Sequence, residues 1–422
     1  MRMSIYVIRR ILIAPVVLVG VMTIVFTLTS FLPVTDKIST LASVGPNQKC
    51  PAIQPYCACT VFGSSQPGNC ANPAYWRDYD KLGLNRPIPV QWAFYTYRAF
   101  TFQWGTVSNN SALVTDAEYG NFKDRPVTTM LGVLLPYTLE LAMVSLLIIL
   151  AVAIPLGNLA AVYRNRPVDQ ASRVMSFSGF ALPSYLLGTL IVMGVTLALI
   201  GGHTLAVRTP WCPAPHPIIT ELQGSWPGQQ WGCYTGKVLP SLHYPVWISQ
   251  CGSLHNYPGL ATCPTGFPTV DAVINGQYWL AFDSLLRLVL PALVIAFGAI
   301  AALLRFVRNS MLEVMNLDYI RTARAKGVPE RTVVKRHAGR NSMNVTITVL
   351  GLTFAYFIGG FPVIESVFVL NGVGYGLALS IISPMDFGTV FGTTILFTYL
   401  VVAANIIVDV LYAYLDPRVR LG

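Results

Sequence analysis

Three sets of residues have side chains that could do chemistry. Cys50, Cys57, Cys59 and Cys70 lie in one stretch, and Cys212, Cys233, Cys251 and Cys263 in another. Thiols grouped in fours serve either disulfides or a metal. No pair of Cys-x-x-Cys units occurs, and His203, His216, His243 and His255 are scattered, so disulfides are expected and a metal site is not. Each stretch allows three pairings if the two are not cross-linked, and spacing does not choose among them. The nearest approach to a phosphate loop, Gly232-Cys233-Tyr234-Thr235-Gly236-Lys237-Val238, is one residue short and lacks Ser or Thr after the lysine, so the chain is expected to bind no nucleotide cofactor. The third set is four acids in or beside apolar stretches: Glu140, Glu365, Asp386 and Asp409. An ionisable group there is a functional candidate by default, but each lies near an expected span end or interface, where hydrogen bonding between helices is the plainer role.

The elements that must position these residues are set by composition. Charged residues make up 11% of the 422 and apolar residues 54%, which excludes an ordinary water-soluble domain. Six blocks are free of Lys, Arg, Asp and Glu: Ile11 to Leu32, Leu141 to Tyr163, Val174 to Gly202, Leu288 to Leu304, Asn341 to Ile364 and Phe387 to Val408. A helix needs about 20 such residues to cross hydrocarbon about 30 Å thick. The second block extends back to Pro126 if Glu140 is admitted. Splitting it into two spans would put the basic loop of Arg164, Arg166 and Arg173 outside, against the positive-inside tendency, so one span is expected. Residues Arg2, Arg9 and Arg10 before the first block resemble the start of a signal peptide. That block is too long for one, and no clear cleavage site follows, so an uncleaved span is expected.

Six spans with a cytoplasmic N-terminus place 17 basic and five acidic residues inside, in residues 1–10, 163–173, 305–343 and 414–422. The outside loops, residues 33–126 and 201–287, hold 11 basic and nine acidic residues, together with every cysteine. The net +10 therefore follows topology, and nucleic acid is not an expected partner. Disulfides persist only on the oxidising side, which agrees with this orientation in a plasma or inner membrane. All eight Trp, Trp76 to Trp279, also fall in the outside loops and suggest a packed outer layer in contact with the lipid interface; a sugar-stacking platform is the alternative. The expected layout is residues 1–32 for the N-terminus and first span, 33–126 for a Cys-rich outer loop, and 127–200 for spans two and three. Residues 201–284 form a second Cys-rich outer loop, and 285–422 hold spans four to six with an inner loop at 308–341.

That inner loop reads as two short helices. The first runs from about Asn316 through Lys326 and stops at Gly327, the usual residue past a helix end; the second starts at Pro329 and Glu330. Tyr319, Thr322, Ala323 and Lys326 share one face, Ala323, Ala325 and Gly327 keep the end slim, and Arg321, Arg324 and Lys326 rim it. A polybasic loop resting on anionic lipid needs only the charge. The small residues favour insertion into a groove on another protein.

Tyr319-Ile320-Arg321-Thr322-Ala323-Arg324-Ala325-Lys326-Gly327, followed by Arg336-His337-Ala338-Gly339-Arg340-Asn341, resembles the coupling-helix signature of ABC importer permeases, in the branch that imports dipeptides, oligopeptides or nickel. Leu84-Asn85-Arg86-Pro87, Leu135-Pro136-Tyr137-Thr138-Leu139-Glu140, Ala181-Leu182-Pro183-Ser184-Tyr185, Val363-Ile364-Glu365-Ser366-Val367-Phe368 and Leu415-Asp416-Pro417-Arg418 are similar to that branch's B-type subunit. The resemblance covers about two thirds of the chain. Both Cys-rich segments look like insertions, and Pro33-Val34-Thr35-Asp36 and Asn371-Gly372-Val373-Gly374-Tyr375 depart from the family pattern.

The resemblance implies an all-α polytopic protein with the six helices of the type I ABC importer permease fold, carrying two disulfide-rich external insertions. It implies a non-catalytic chain that forms half of a path for peptides or a related oligomeric solute such as oligosaccharides. ATP and Mg would be bound on two cytoplasmic ATPase partners, and a second homologous permease subunit and an external solute-binding protein complete the implied assembly. A secondary transporter or channel without an ATPase is the alternative. Polar side chains available to line a path are Ser176, Ser178, Ser184, Tyr185, Thr353 and Tyr356, although such hydroxyls also bond neighbouring helices or their own backbone.

Overall fold

A computed structural model describes residues 3–31, 47–49, 69–71, 84–108, 122–201, 265–342, 361–381 and 386–415. Apart from one antiparallel pair of three-residue strands, β1 (Asn47–Lys49) and β2 (Asn69–Ala71), the described chain is helical. Cys70 sits in β2 opposite Gln48, and the pairing of the eight cysteines lies outside the described residues. Among the described residues, four helices are long and apolar enough to cross a membrane, or up to six if two bent pairs each count as one span.

The first compact unit comprises Met1–Leu134 and Gly376–Asp409. Its α1 (Met3–Ser30) holds an apolar run, Leu12–Ser30, whose hydroxyls turn back on their own helix: Thr23 donates to the Val19 carbonyl at 2.7 Å and Thr27 to that of Thr23 at 2.7 Å. In hydrocarbon, where water is absent, that is how a threonine stays satisfied. Helix α2 (Ile88–Phe100) begins after Pro87, and its Trp92 indole donates to Thr23 Oγ1 at 3.0 Å. Residues 104–108 then meet the start of α12 (Phe387–Leu415). Asp386 accepts the Ser108 amide at 2.9 Å and caps α12 by accepting the Thr389 amide at 3.1 Å. A carboxylate at that position suits both the free amides and the positive end of the helix.

The second unit comprises Leu135–Tyr375 and Val410–Gly422. Helix α3 (Val127–Val162) is continuous through Pro136 and Pro155, so the long second block is a single helix. Its 36 residues extend about 54 Å, more than the hydrocarbon requires. Glu140 lies within α3 and accepts the Thr269 amide at 3.2 Å from the first turn of α6 (Pro268–Ile274). Helix α7 (Tyr278–Met315) runs far past the short fourth block at both ends.

The third block is not one straight span. It divides into α4 (Pro167–Ala181) and α5 (Ser184–Gly201), bent by 98° at Leu182 and Pro183. Leu182 has φ −102° and ψ 113°, the extended state that a following proline imposes. Of the fifth block, residues 343–360 lie outside the described residues. Its end is α10 (Phe361–Phe368), bent by 83° against α11 (Val373–Ile381). Val369 occupies the left-handed region at φ 51°, costly for a β-branched residue. The buried Glu365 holds the turn by accepting the Gly374 and Tyr375 amides at 2.6 and 3.0 Å, and a side chain on Gly374 would strike the Pro362 backbone.

Helices α4 and α7 form the most extensive helix contact of this unit. Ala292, Ala296, Ala299 and Ala301 on α7 are all buried, and small residues let helix backbones approach. A Cβ at Gly179 would fall on that of Ala301, and one at Gly157 on the side chain of Val307. Gly179→Val should therefore lower the thermal midpoint in detergent by several degrees, the signature of about 1–3 kcal/mol of overpacking. Gly298→Ala adds a methyl that meets only the Gly179 carbonyl, at 3.7 Å, and should leave the midpoint unchanged in the same scanning fluorimetry.

Candidate functional site

The basic loop after α7 is where sequence-derived site residues are brought together. Asn316 caps the end of α7 instead of starting the next helix, and Leu317 is extended before α8 (Asp318–Ala325). Asp318 suits the first turn of that helix and Arg324 its last. The end is a complete Schellman turn: the Val328 amide reaches the Ala323 carbonyl at 3.2 Å and the Gly327 amide that of Arg324 at 2.9 Å. Gly327 takes φ +76°, with nothing within 4 Å of where a Cβ would stand, so glycine is required there by backbone conformation and not by crowding.

The second expected helix is only partly regular. Pro329 leads into α9 (Glu330–Thr332), which passes directly into a π-helical turn, Val333–Ala338. Ile320, Val333 and Ala338 are buried in one cluster with Met311 and Val314 of α7 and Ala161 of α3, with Ala323 and Val328 packed against it. The eight-residue α8 is too short to hold a helix by itself; this apolar seat does so. Tyr319 ties the far side, its hydroxyl donating to the His337 carbonyl and accepting from Asn341, both at 3.3 Å.

The expected face is thus divided. Tyr319, Thr322, Ala325, Lys326 and Gly327 are exposed, whereas Ala323 turns toward the cluster. Arg324 is not simply a rim charge: its guanidinium holds Glu330 through bonds of 2.7 and 3.0 Å, and Arg321 lies 3.4 Å from Asp318. Arg324 holds the Glu330 carboxyl below its ordinary range and is itself raised by that partner.

A second arrangement, beside the loop, went unrecognised in the sequence. Asp169, fully buried in the first turn of α4, accepts from Arg308 Nε at 2.5 Å and Nη2 at 3.0 Å, from Arg173 Nη2 at 2.9 Å and from the Asn165 amide at 2.9 Å. Arg308 lies on α7 three residues before Met311 of the cluster. The available signal was a lone acid following Pro167 among three arginines, spaced four residues from Arg173.

The path residues do not converge in the same way. Ser176 is buried and donates to the Ser172 carbonyl of its own helix at 2.9 Å; Ser178 is half-buried; Ser184 and Tyr185 are exposed at the start of α5. Thr353 and Tyr356 lie outside the described residues. Among the described residues no group of His, Cys, Asp and Glu could hold a metal.

The loop's stability follows from this ranking of contacts. Gly327→Ala should cost about 1 kcal/mol through left-handed strain and raise amide exchange across Asp318–Thr332 about fivefold. Glu330→Gln removes an exposed pair worth at most about 1 kcal/mol and should change exchange less than Gly327→Ala does. Because the Glu330 carboxyl is depressed, the pair's contribution is full above the ordinary glutamate range and fades as pH falls through the lowered value. Wild-type and Glu330→Gln loops should therefore converge in acid, as exchange mass spectrometry at two pH values would show.

Residues 153–421 match the family described as binding-protein-dependent transport system inner membrane component. The chain is 33% identical over 342 residues to the probable D,D-dipeptide transport system permease protein DdpB of Escherichia coli, covering 81% of this chain and 83% of that protein. It is 30% identical over 341 residues to the oligopeptide transport system permease protein AppB of Bacillus subtilis, and 28% over 341 residues to the dipeptide transport system permease protein DppB of Escherichia coli, each with 81% and 83% coverage. With a helical, multi-pass architecture and a family match over more than half its length, the chain belongs to the inner-membrane permease components of binding-protein-dependent transport systems.

Proposed function

We propose that this chain is the permease subunit of an ATP-driven importer for peptides, and that α8 with Gly327 is its contact with a cytoplasmic ATPase. The observation that carries the reading is the seat of α8. A short helix exposes Tyr319, Thr322, Ala325 and Lys326 while its other side is held to α7 and α3 by a buried cluster. A lipid-resting basic loop would need no such seat. The names of the similar proteins support dipeptides or oligopeptides as the solute.

In this reading six spans place the loop in the cytoplasm and the Cys-rich insertions outside as disulfide-stapled layers. A second permease subunit completes the path, two ATPases supply the energy and an external binding protein delivers the solute. The chain itself catalyses nothing. A push on α8 passes through Ile320 and Val333 to Met311 and Val314 of α7. Arg308 and Asp169 carry it to α4, which ends at the Leu182 bend. Buried apolar and ionic contacts suit this task because packed interfaces switch between discrete arrangements instead of deforming smoothly.

Gly327→Leu tests the assignment in vesicles holding the whole transporter. ATP hydrolysis should continue while dipeptide taken up per ATP falls about tenfold or more; unchanged uptake would remove the coupling role. Orientation is checked separately. A cysteine introduced at Lys326 should react with an impermeant maleimide only after the cells are opened, and the eight native cysteines should be alkylated only after reduction.

A further inference from the structure

The segment from Glu330 to Ser342, after the glycine turn, has two sides that differ in kind. Val333, Ala338 and Ser342 are buried, and every exposed residue from Arg331 to Arg340 is a cation: Arg331, Lys335, Arg336 and Arg340. The π-helical turn separates the two sets. In a regular α-helix residues five apart stand about 140° apart, so Val333 and Ala338 would not share one seat, and Arg340 would be carried round to the Val333 side. The wider turn of Val333–Ala338, closed between residues five apart, puts those two apolar residues together and leaves the four cations on the other side.

The protein supplies these cations with no counter-charge. Glu330 is the one acid between Val328 and Ser342, and Arg324 already holds it at 2.7 and 3.0 Å. Among the described residues no ion pair joins Arg331, Lys335, Arg336 or Arg340 to a carboxylate.

Their place in the chain indicates what they meet. Arg340 is the last charged residue before the uncharged fifth block, Asn341 to Ile364, so the four stand where the chain enters hydrocarbon. Arginine and lysine there reach the headgroup layer on their apolar stems. The exposed side of α8 differs, because Thr322, Ala325 and Gly327 give it a slim profile that a protein groove can fit. The cationic side offers charge without shape, which is what a fluid anionic surface requires.

We propose that Arg331, Lys335, Arg336 and Arg340 form a binding face for the headgroups of anionic membrane lipids, so that α8 meets a protein while the segment after it meets lipid. This rests on the transport reading in one respect, that the fifth block enters the membrane.

The test uses the complete transporter in phosphatidylcholine nanodiscs carrying a trace of phosphatidylglycerol with a photoreactive headgroup, read by peptide mass spectrometry. Labelling should fall on residues 328–342 and decline as salt is raised. Unlabelled phosphatidylglycerol in the disc should displace it, and added phosphatidylcholine should not. Replacing all four cations by Gln should lower it about tenfold or more, whereas Arg331, Arg336 and Arg340 all changed to Lys should keep it, since charge is what the face supplies. The Gln variant should keep the wild-type thermal midpoint, because the four side chains are exposed and unpaired. Equal labelling of the wild type and the Gln variant, or displacement by phosphatidylcholine, overturns the proposal. So does displacement by water-soluble glycerol phosphate, which would make the ligand a free phosphate, or labelling that appears only once the ATPases are stripped away, which would give the face to a protein partner. No ATP turnover or peptide is needed, so a loss here leaves the Gly327→Leu uptake result standing, and the converse also holds.

Discussion

The carboxylate of Asp169 is the constraint on which the second unit depends. A fully buried acid is tolerable only if its charge is matched, and here four donors from three segments converge on two oxygens. That requirement holds the start of α4 against α7 at Arg308. One turn further along α7 begins the cluster that seats α8, while in the other direction Ala301 meets Gly179 with no room for a methyl group. An ionic tie and a close apolar contact thus act on the same two helices. The first sets their register and the second their distance.

Three other buried acids have similar duties. Glu140 receives the amide of Thr269, Glu365 the amides around the α10–α11 bend, and Asp386 those of Ser108 and Thr389. Each satisfies backbone groups where a helix starts or turns, which a membrane protein cannot leave to water. Their hydrogen bonds reach backbone amides at these points, and the transport reading rests on the loop. The first unit stands apart in chemistry. Its cavity is walled by Phe26, Phe94, Trp104 and Phe391.

Much of the loop was legible because local rules govern it. Gly327 after a run of helix formers predicts a left-handed stop, and the structure has one at φ +76°. The helix limits were less legible. Asn316 reads as a helix start, but the amide bonds at that point close α7. Ala323 reads as part of a slim outer face, yet Val328 folds over it, because a Schellman turn brings those two residues together. Pairing of Arg324 with Glu330 crosses a glycine turn, and no helical periodicity relates residues six apart there.

By itself the sequence determined that the chain lives in a membrane and that its apolar blocks, among the described residues, are helical. These follow from composition and spacing, since hydrocarbon admits few backbone solutions. The inner-loop motif, likewise local, pointed to the family. Tertiary structure alone decided that the third block bends by 98°, that Glu140 meets Thr269, that Asp169 holds Arg308 across 139 residues and that a cavity opens beside Arg98. The reason is physical. A period along the chain tells which side of a helix is apolar, but a buried charge or a void depends on which distant segment arrives opposite it.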